Sequence, residues 1–110
     1  MKLLSDDLRK QFPALYATEE QPLLEARGIA CFYMPFGSWY WYPSEFDGKD
    51  LFFGLVIGFE PEFGYFTLSE LERALDPAGS PAVVRELGFK PATMREIVKA
   101  RHPDVLAQFE

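Results

Sequence analysis

Apolar positions along this chain follow two periods, one helical and one of strands, and the change between them marks out its elements. Behind Ser5, Leu8 and Phe12, with Leu15 beyond them, recur on one side of a helix whose first turn holds Asp6 and Asp7. Ser5 is a favourable N-cap, the two acids suit the positive end of the helix dipole, and Pro13 bends or stops the helix. Residues 18–27 are polar and contain Pro22, which predicts a loop leading into a sheet. Between residues 28 and 66 the side chains become β-branched and aromatic, punctuated by Pro35, Gly37, Asp47, Gly48, Pro61 and Gly64. This predicts an antiparallel meander with strands near residues 29–34, 38–46 and 51–59 and a short return at Tyr65 and Phe66.

Three places in the meander carry more local information. Asp47 and Gly48 tolerate positive φ and mark a hairpin turn, but a two-residue turn sets Glu45 opposite Asp50; a longer loop through Lys49 and Asp50 avoids those facing charges. Pro43 lacks an amide donor, so its strand lies at a sheet edge or is bulged there. In residues 51–59, alternation sends Phe53, Leu55, Ile57 and Phe59 to a core face and Gly54, Val56 and Gly58 to the other. The two glycines leave a shallow trough for a neighbouring ring or helix, or for a ligand.

After the sheet, Thr67 and Glu70 have capping-box spacing ahead of Leu68, Leu71 and Leu75, and Thr93 and Glu96 repeat it ahead of Met94, Ile97 and Val98. The second helix ends near His102-Pro103, and Val105, Leu106 and Phe109 pack the tail back. Residues 76–81 read as a loop, and residues 82–89 as a last strand or an irregular segment. The expected fold is one α+β domain over residues 1–110, an antiparallel meander sheet of about four strands with two or three short helices.

Composition agrees with a folded domain, at 48% hydrophobic and 25% charged residues. Cys31 is the lone cysteine, so no internal disulfide forms, and the opening residues lack the apolar stretch of a signal peptide; a reducing cytoplasm is the expected location. The longest apolar run, residues 51–59, contains two glycines and falls well short of the ~20 residues of a membrane helix. Net charge is −6, and all of it arises between Glu45 and Asp76, where eight acids meet two bases. Such a segment repels phosphates and anionic headgroups, which disfavours direct nucleic-acid or membrane binding and points to a protein partner with a basic surface.

Little in the sequence points to catalysis. The single histidine and single cysteine stand far apart in sequence, so no metal site is expected, and the absence of a glycine-rich phosphate loop or dinucleotide fingerprint predicts no nucleotide cofactor. His102 precedes a proline at a helix end, where a cationic ring complements the dipole. Cys31, between Ala30 and Phe32, reads as a small buried thiol, although a Cys31–His102 nucleophilic pair is open to a fold that brings the two together. The carboxylate pair of Glu60-Pro61-Glu62 reads as a surface turn.

Aromatic residues give the less ordinary signal. Fourteen of eighteen lie between Phe32 and Phe66, and the run Trp39-Tyr40-Trp41-Tyr42 places both tryptophans on one face and both tyrosines on the other. Any part left uncovered is an aromatic patch rimmed by acids. These residues also carry a resemblance. Phe12-Pro13-Ala14-Leu15-Tyr16, Trp41, Glu45-Phe46-Asp47-Gly48, Phe52-Phe53-Gly54, Gly58-Phe59-Glu60-Pro61-Glu62, Gly64-Tyr65-Phe66 and Leu68-Ser69-Glu70-Leu71-Glu72 make the chain similar to the bacterial family catalogued as domain of unknown function 2958. That resemblance brings no activity, cofactor or catalytic residue with it. Members are frequent on plasmids and other mobile elements, which implies accessory work such as countering host defence. The Pro35-Phe36-Gly37 connection and the basic C-terminal helix depart from the family pattern.

The leading expectation is therefore a noncatalytic protein-binding domain. Glu45, Asp47, Asp50, Glu60, Glu62, Glu70 and Glu72 supply electrostatic attraction, and exposed members of the aromatic run, Trp39 or Trp41, supply contact area. Two alternatives stand beside it. One is an anti-defence protein that imitates DNA with the same carboxylates; the other is a small hydrolase using carboxylates or Cys31.

Overall fold

The computed structural model describes residues 2–109, so the ends of the expected domain, Met1 and Glu110, lie outside the described residues. Helix α1 (Asp6–Arg9) opens on Ser5, whose hydroxyl accepts from the Leu8 amide at 3.1 Å. It ends well before Phe12 and Leu15, four residues being all that forms ahead of Pro13. A short 3₁₀ turn (Leu23–Glu25) leads to β1 (Arg27–Gly28) and β2 (Phe32–Tyr33). Three long strands follow, β3 (Tyr40–Phe46), β4 (Leu51–Ile57) and β5 (Pro61–Thr67), and then α2 (Leu68–Arg73). The chain closes with β6 (Val84–Arg85), β7 (Ala92–Thr93), α3 (Met94–Arg101) and a 3₁₀ segment (Pro103–Phe109).

The expected α+β architecture is present, with five strands in the main sheet rather than about four, in the antiparallel order β5-β4-β3-β2-β6. The fifth comes from residues 82–89, where Val84 and Arg85 pair with Tyr33 and Phe32. Of the strand expected over residues 29–34 only Phe32 and Tyr33 form, the Ile29 amide bonding the Pro43 carbonyl, while β1 just before it pairs separately with β7. Pro61 begins a full strand instead of sitting in a turn, as a residue with no amide to donate can at a strand's first position.

The longer loop between β3 and β4 is the one adopted. Phe46 pairs with Phe52, Gly48 takes φ +85°, and the Asp47 carboxylate accepts from the amides of Lys49, Asp50 and Leu51 at 2.8, 2.8 and 3.0 Å. A bulge between Pro43 and Glu45 accommodates the proline in an interior strand and sets Glu45 opposite Phe53.

Both faces of the sheet are covered. On one, Leu3, Leu4, Phe32, Trp41, Phe46, Phe52 and Phe66 pack with Leu68 and Leu71 of α2; on the other, Tyr42, Leu55 and Ile57 pack with Met94, Ile97 and Val98 of α3. The expected core face of β4 is therefore corrected. Phe52 and Leu55 are both fully buried, on opposite faces, while Phe59 lies past the end of the strand and is 94% exposed. Both capping boxes close, Thr67 with Glu70 and Thr93 with Glu96, and set the start of the helices that cover each face. Among the described residues, no helix is long and apolar enough to cross a membrane.

Candidate functional site

The acids of the central segment share a region of sequence but not a role. Glu45 is 3% exposed, and its carboxylate receives the Tyr16 and Thr18 amides at 2.9 Å each together with the Thr18 hydroxyl. It pins the turn carrying Tyr16, a non-glycine residue at φ 69°, over the end of β3. The expectation that Glu45 attracts a partner is thereby corrected: folding already engages its charge. Asp50 accepts from the Ser69 amide and hydroxyl at 2.8 and 2.7 Å, Glu70 closes its capping box, and Glu72 accepts from the Leu3 amide at 3.2 Å. With Asp47 holding its loop, five of the seven expected acids bond to the chain itself. Glu60 and Glu62 are exposed, and among the described residues their carboxylates accept no hydrogen bond and form no ion pair.

The tryptophans divide in the same way. Trp41 is 7% exposed in the first core cluster, so its expected role as a contact residue is corrected. Trp39, on the same face but beyond the end of β3, is half-buried and rests on Trp41 at 5.7 Å between ring centres. Its far side meets Phe59 edge to face at 5.3 Å. The glycine trough is filled by these neighbours: a Cβ on Gly58 would lie 2.5 Å from the Trp39 ring, and one on Gly54 would lie 2.2 Å from the Tyr42 carbonyl oxygen. Trp39, Val56, Phe59, Glu60 and Glu62 line a shallow hollow of about 270 Å³. Alternation could not find Phe59 as a surface residue, because the apolar period of β4 continues in the sequence through Gly58 and into the turn; the Glu60-Pro61 pair right after it was the available warning.

A second hollow, of about 330 Å³, lies over the other face between Tyr33, Tyr40, Glu86, Arg101 and His102. Its charged groups are already joined to each other, and its histidine to a buried tyrosine. Arg101 grips Glu86 through two bonds of 2.6 and 2.7 Å, and Tyr42 Oη and His102 Nε2 share one of 2.8 Å. His102 is the C-cap of α3 as expected, but burial holds its ring below its ordinary value, with Asp104 opposing and Arg101 adding to the shift, which disfavours the cationic form expected there. Cys31 is fully buried near Tyr42, and burial pushes its thiol up to about 12, where the thiolate needed for nucleophilic attack is scarce. No hydrogen bond between Cys31 and His102 occurs among the described residues. Nor, among those residues, do three or more His, Cys, Asp or Glu side chains gather as metal ligands.

A family model described as "Protein of unknown function (DUF2958)" matches residues 3–101. No curated protein and no solved structure matches the chain.

Proposed function

The chain belongs to the family described as Protein of unknown function (DUF2958), and within that family we propose that it acts as a noncatalytic protein-binding domain, receiving a basic surface of its partner on Phe59 and Trp39 beside Glu60 and Glu62. The observation that carries this reading is Phe59, an almost wholly exposed aromatic ring in edge-to-face contact with a second ring and bordered by two carboxylates that the fold does not use. A ring kept in water offers a large apolar area with few rotatable bonds to order on contact, which favours association. The acids then raise the encounter rate with a basic partner. The Tyr33–His102 hollow supports this reading less well because its charged groups are mutually satisfied.

The test is capture of a partner by the wild-type chain, followed by binding kinetics of that same partner with Phe59→Ala and with the double variant Glu60→Lys, Glu62→Lys. Loss of binding in both sets supports the reading, and wild-type kinetics in both sinks it. Displacement of the partner by duplex DNA would move the reading to imitation of DNA.

A further inference from the structure

Strand β5 ends the sheet, and apart from its ladder with β4 no backbone bond to another segment engages its residues among those described. Which of its groups face outward follows from the ladder. Along an antiparallel strand, successive residues bond alternately to the neighbour on one side and the neighbour on the other. Pro43 has no amide hydrogen and its carbonyl accepts from Ile29, so Pro43 faces away from β4, and Gly54 opposite it faces β5. Gly54 pairs with Gly64. Glu62, Gly64 and Phe66 therefore bond inward, and Phe63 and Tyr65 turn amide and carbonyl outward.

The flanking outward positions offer no donor. Pro61 has none, and the Thr67 amide is held by the Glu70 carboxylate at 3.2 Å. Natural sheet edges are blunted by charge, proline or cover. Here Pro61 and Glu62 blunt only the start, and Tyr65 is exposed. The two hollows that border this strand contain no base and offer free acids, Glu60 and Glu62 at its beginning on one face and Glu19 beside Tyr65 on the other, the charge of Glu45 being engaged already.

We propose that β5 receives an added strand, an extended partner segment that bonds the outward amides and carbonyls of Phe63 and Tyr65 and whose lysines or arginines, at alternate positions, lie on the Glu62 face of the sheet. The charge of this edge favours that occupant over a second copy of the chain, because two copies would bring Glu60, Glu62 and Glu19 of each together along one junction with no base in either hollow to offset them. The inference rests on the protein-binding reading above and gives it a mode of contact, since Glu60 and Glu62 lead directly into this edge.

The experiment titrates a capped synthetic peptide of alternating lysine and valine into the full chain and follows amide hydrogen exchange by NMR. The Phe63 and Tyr65 amides should exchange about tenfold more slowly or better at saturation, with little change at Gly64 and Phe66, and a glutamate–valine peptide should have no effect. Tyr65→Pro removes one outward donor without touching the β4 ladder and should weaken binding about tenfold, while Tyr65→Thr, which keeps the amide, should stay within about threefold of wild type. Should Tyr65→Pro fail to fold, the exchange pattern of the wild type decides alone. Unchanged protection at Phe63 and Tyr65, equal binding by the folded proline variant, or a stable dimer that hides the two amides overturns the proposal. Peptide binding lost in Phe59→Ala without protection of Tyr65 would keep the patch reading and remove strand addition. Binding insensitive to both sets of variants would remove both.

Discussion

Glu45 of the central strand receives both the amide and the hydroxyl of Thr18, a residue from the turn before the sheet. These bonds, with the one from Tyr16, make a buried carboxylate the fastening of that turn to the sheet, beside the Phe46 amide that donates to the Pro13 carbonyl. Glu45→Ala should therefore lower stability by roughly 1–3 kcal/mol, the usual cost of leaving partly buried amides without an acceptor. Urea unfolding of the variant checks this. An effect near zero would mean water replaces the carboxylate without loss.

Stability and binding should separate between two aromatic residues of the same face. Trp41→Ala should cost about 3–5 kcal/mol, as removal of a large buried side chain does. Phe59→Ala should change stability by less than about 0.5 kcal/mol and speed dissociation from a partner. Glu60→Lys with Glu62→Lys should instead slow association and flatten its salt dependence. Denaturation midpoints and association rates at two salt concentrations distinguish these outcomes.

The two glycines of the trough should differ in severity. A methyl on Gly54 meets main-chain atoms of Tyr42 and Pro43 that cannot move without breaking the ladder, whereas a methyl on Gly58 meets only the movable ring of Trp39. Gly54→Ala should cost about 3 kcal/mol or more, and Gly58→Ala about 1 kcal/mol with a shifted Trp39 fluorescence maximum. Equal costs would show that the Trp39 ring is as immobile as the backbone.

Stability should fall on acidification in two stages. His102 is held below its ordinary value of 6.5 by burial, so the unfolded chain takes up the proton first; the stabilisation is full above 6.5 and is lost as pH falls through the lower folded value. Glu86, lowered by its bonds to Arg101, and Asp47, lowered by the loop amides, add a second stage of the same sign below their ordinary values of 4.5 and 3.8. Melting temperatures measured against pH should show both stages, and His102→Gln should remove the first. A melting temperature that rises between neutral pH and the first stage would contradict the assignment.

Native Cys31 should react slowly with thiol reagents, because the side chain is fully buried and its thiolate is disfavoured. Reaction should accelerate in urea in step with unfolding. Rapid labelling in buffer alone would indicate local opening near Tyr42.

What could be read from the chain alone was whatever depends on neighbours within a few positions. Ser5 caps α1, and Thr67 with Glu70 and Thr93 with Glu96 close their boxes, because donor and acceptor lie on one short stretch of backbone. Gly48 turns with positive φ because it lacks a Cβ, and the bulge falls at Pro43 because it lacks an amide donor. The α+β class followed from the change of period, and the inward face of α3 from the spacing of Met94, Ile97 and Val98.

Depth of burial was not available in the same way. Alternation put Trp39 and Trp41 on one face and was right to do so, yet only Trp41 has the packing of Phe32 and α2's layer over it. Glu45 and Glu62 look alike in sequence; the turn at Tyr16 and Thr18 closes over one and nothing closes over the other. Likewise the strand from residues 82–89 exists because Phe32 and Tyr33 present an open edge to it. Local patterns therefore sufficed for the caps, the long strands of the meander, the helices that cover it and the region in which charge and aromatic rings concentrate. Tertiary structure decided which rings and carboxylates meet water, because desolvation depends on segments distant in the chain that happen to lie above a side chain, and no local period records their arrival.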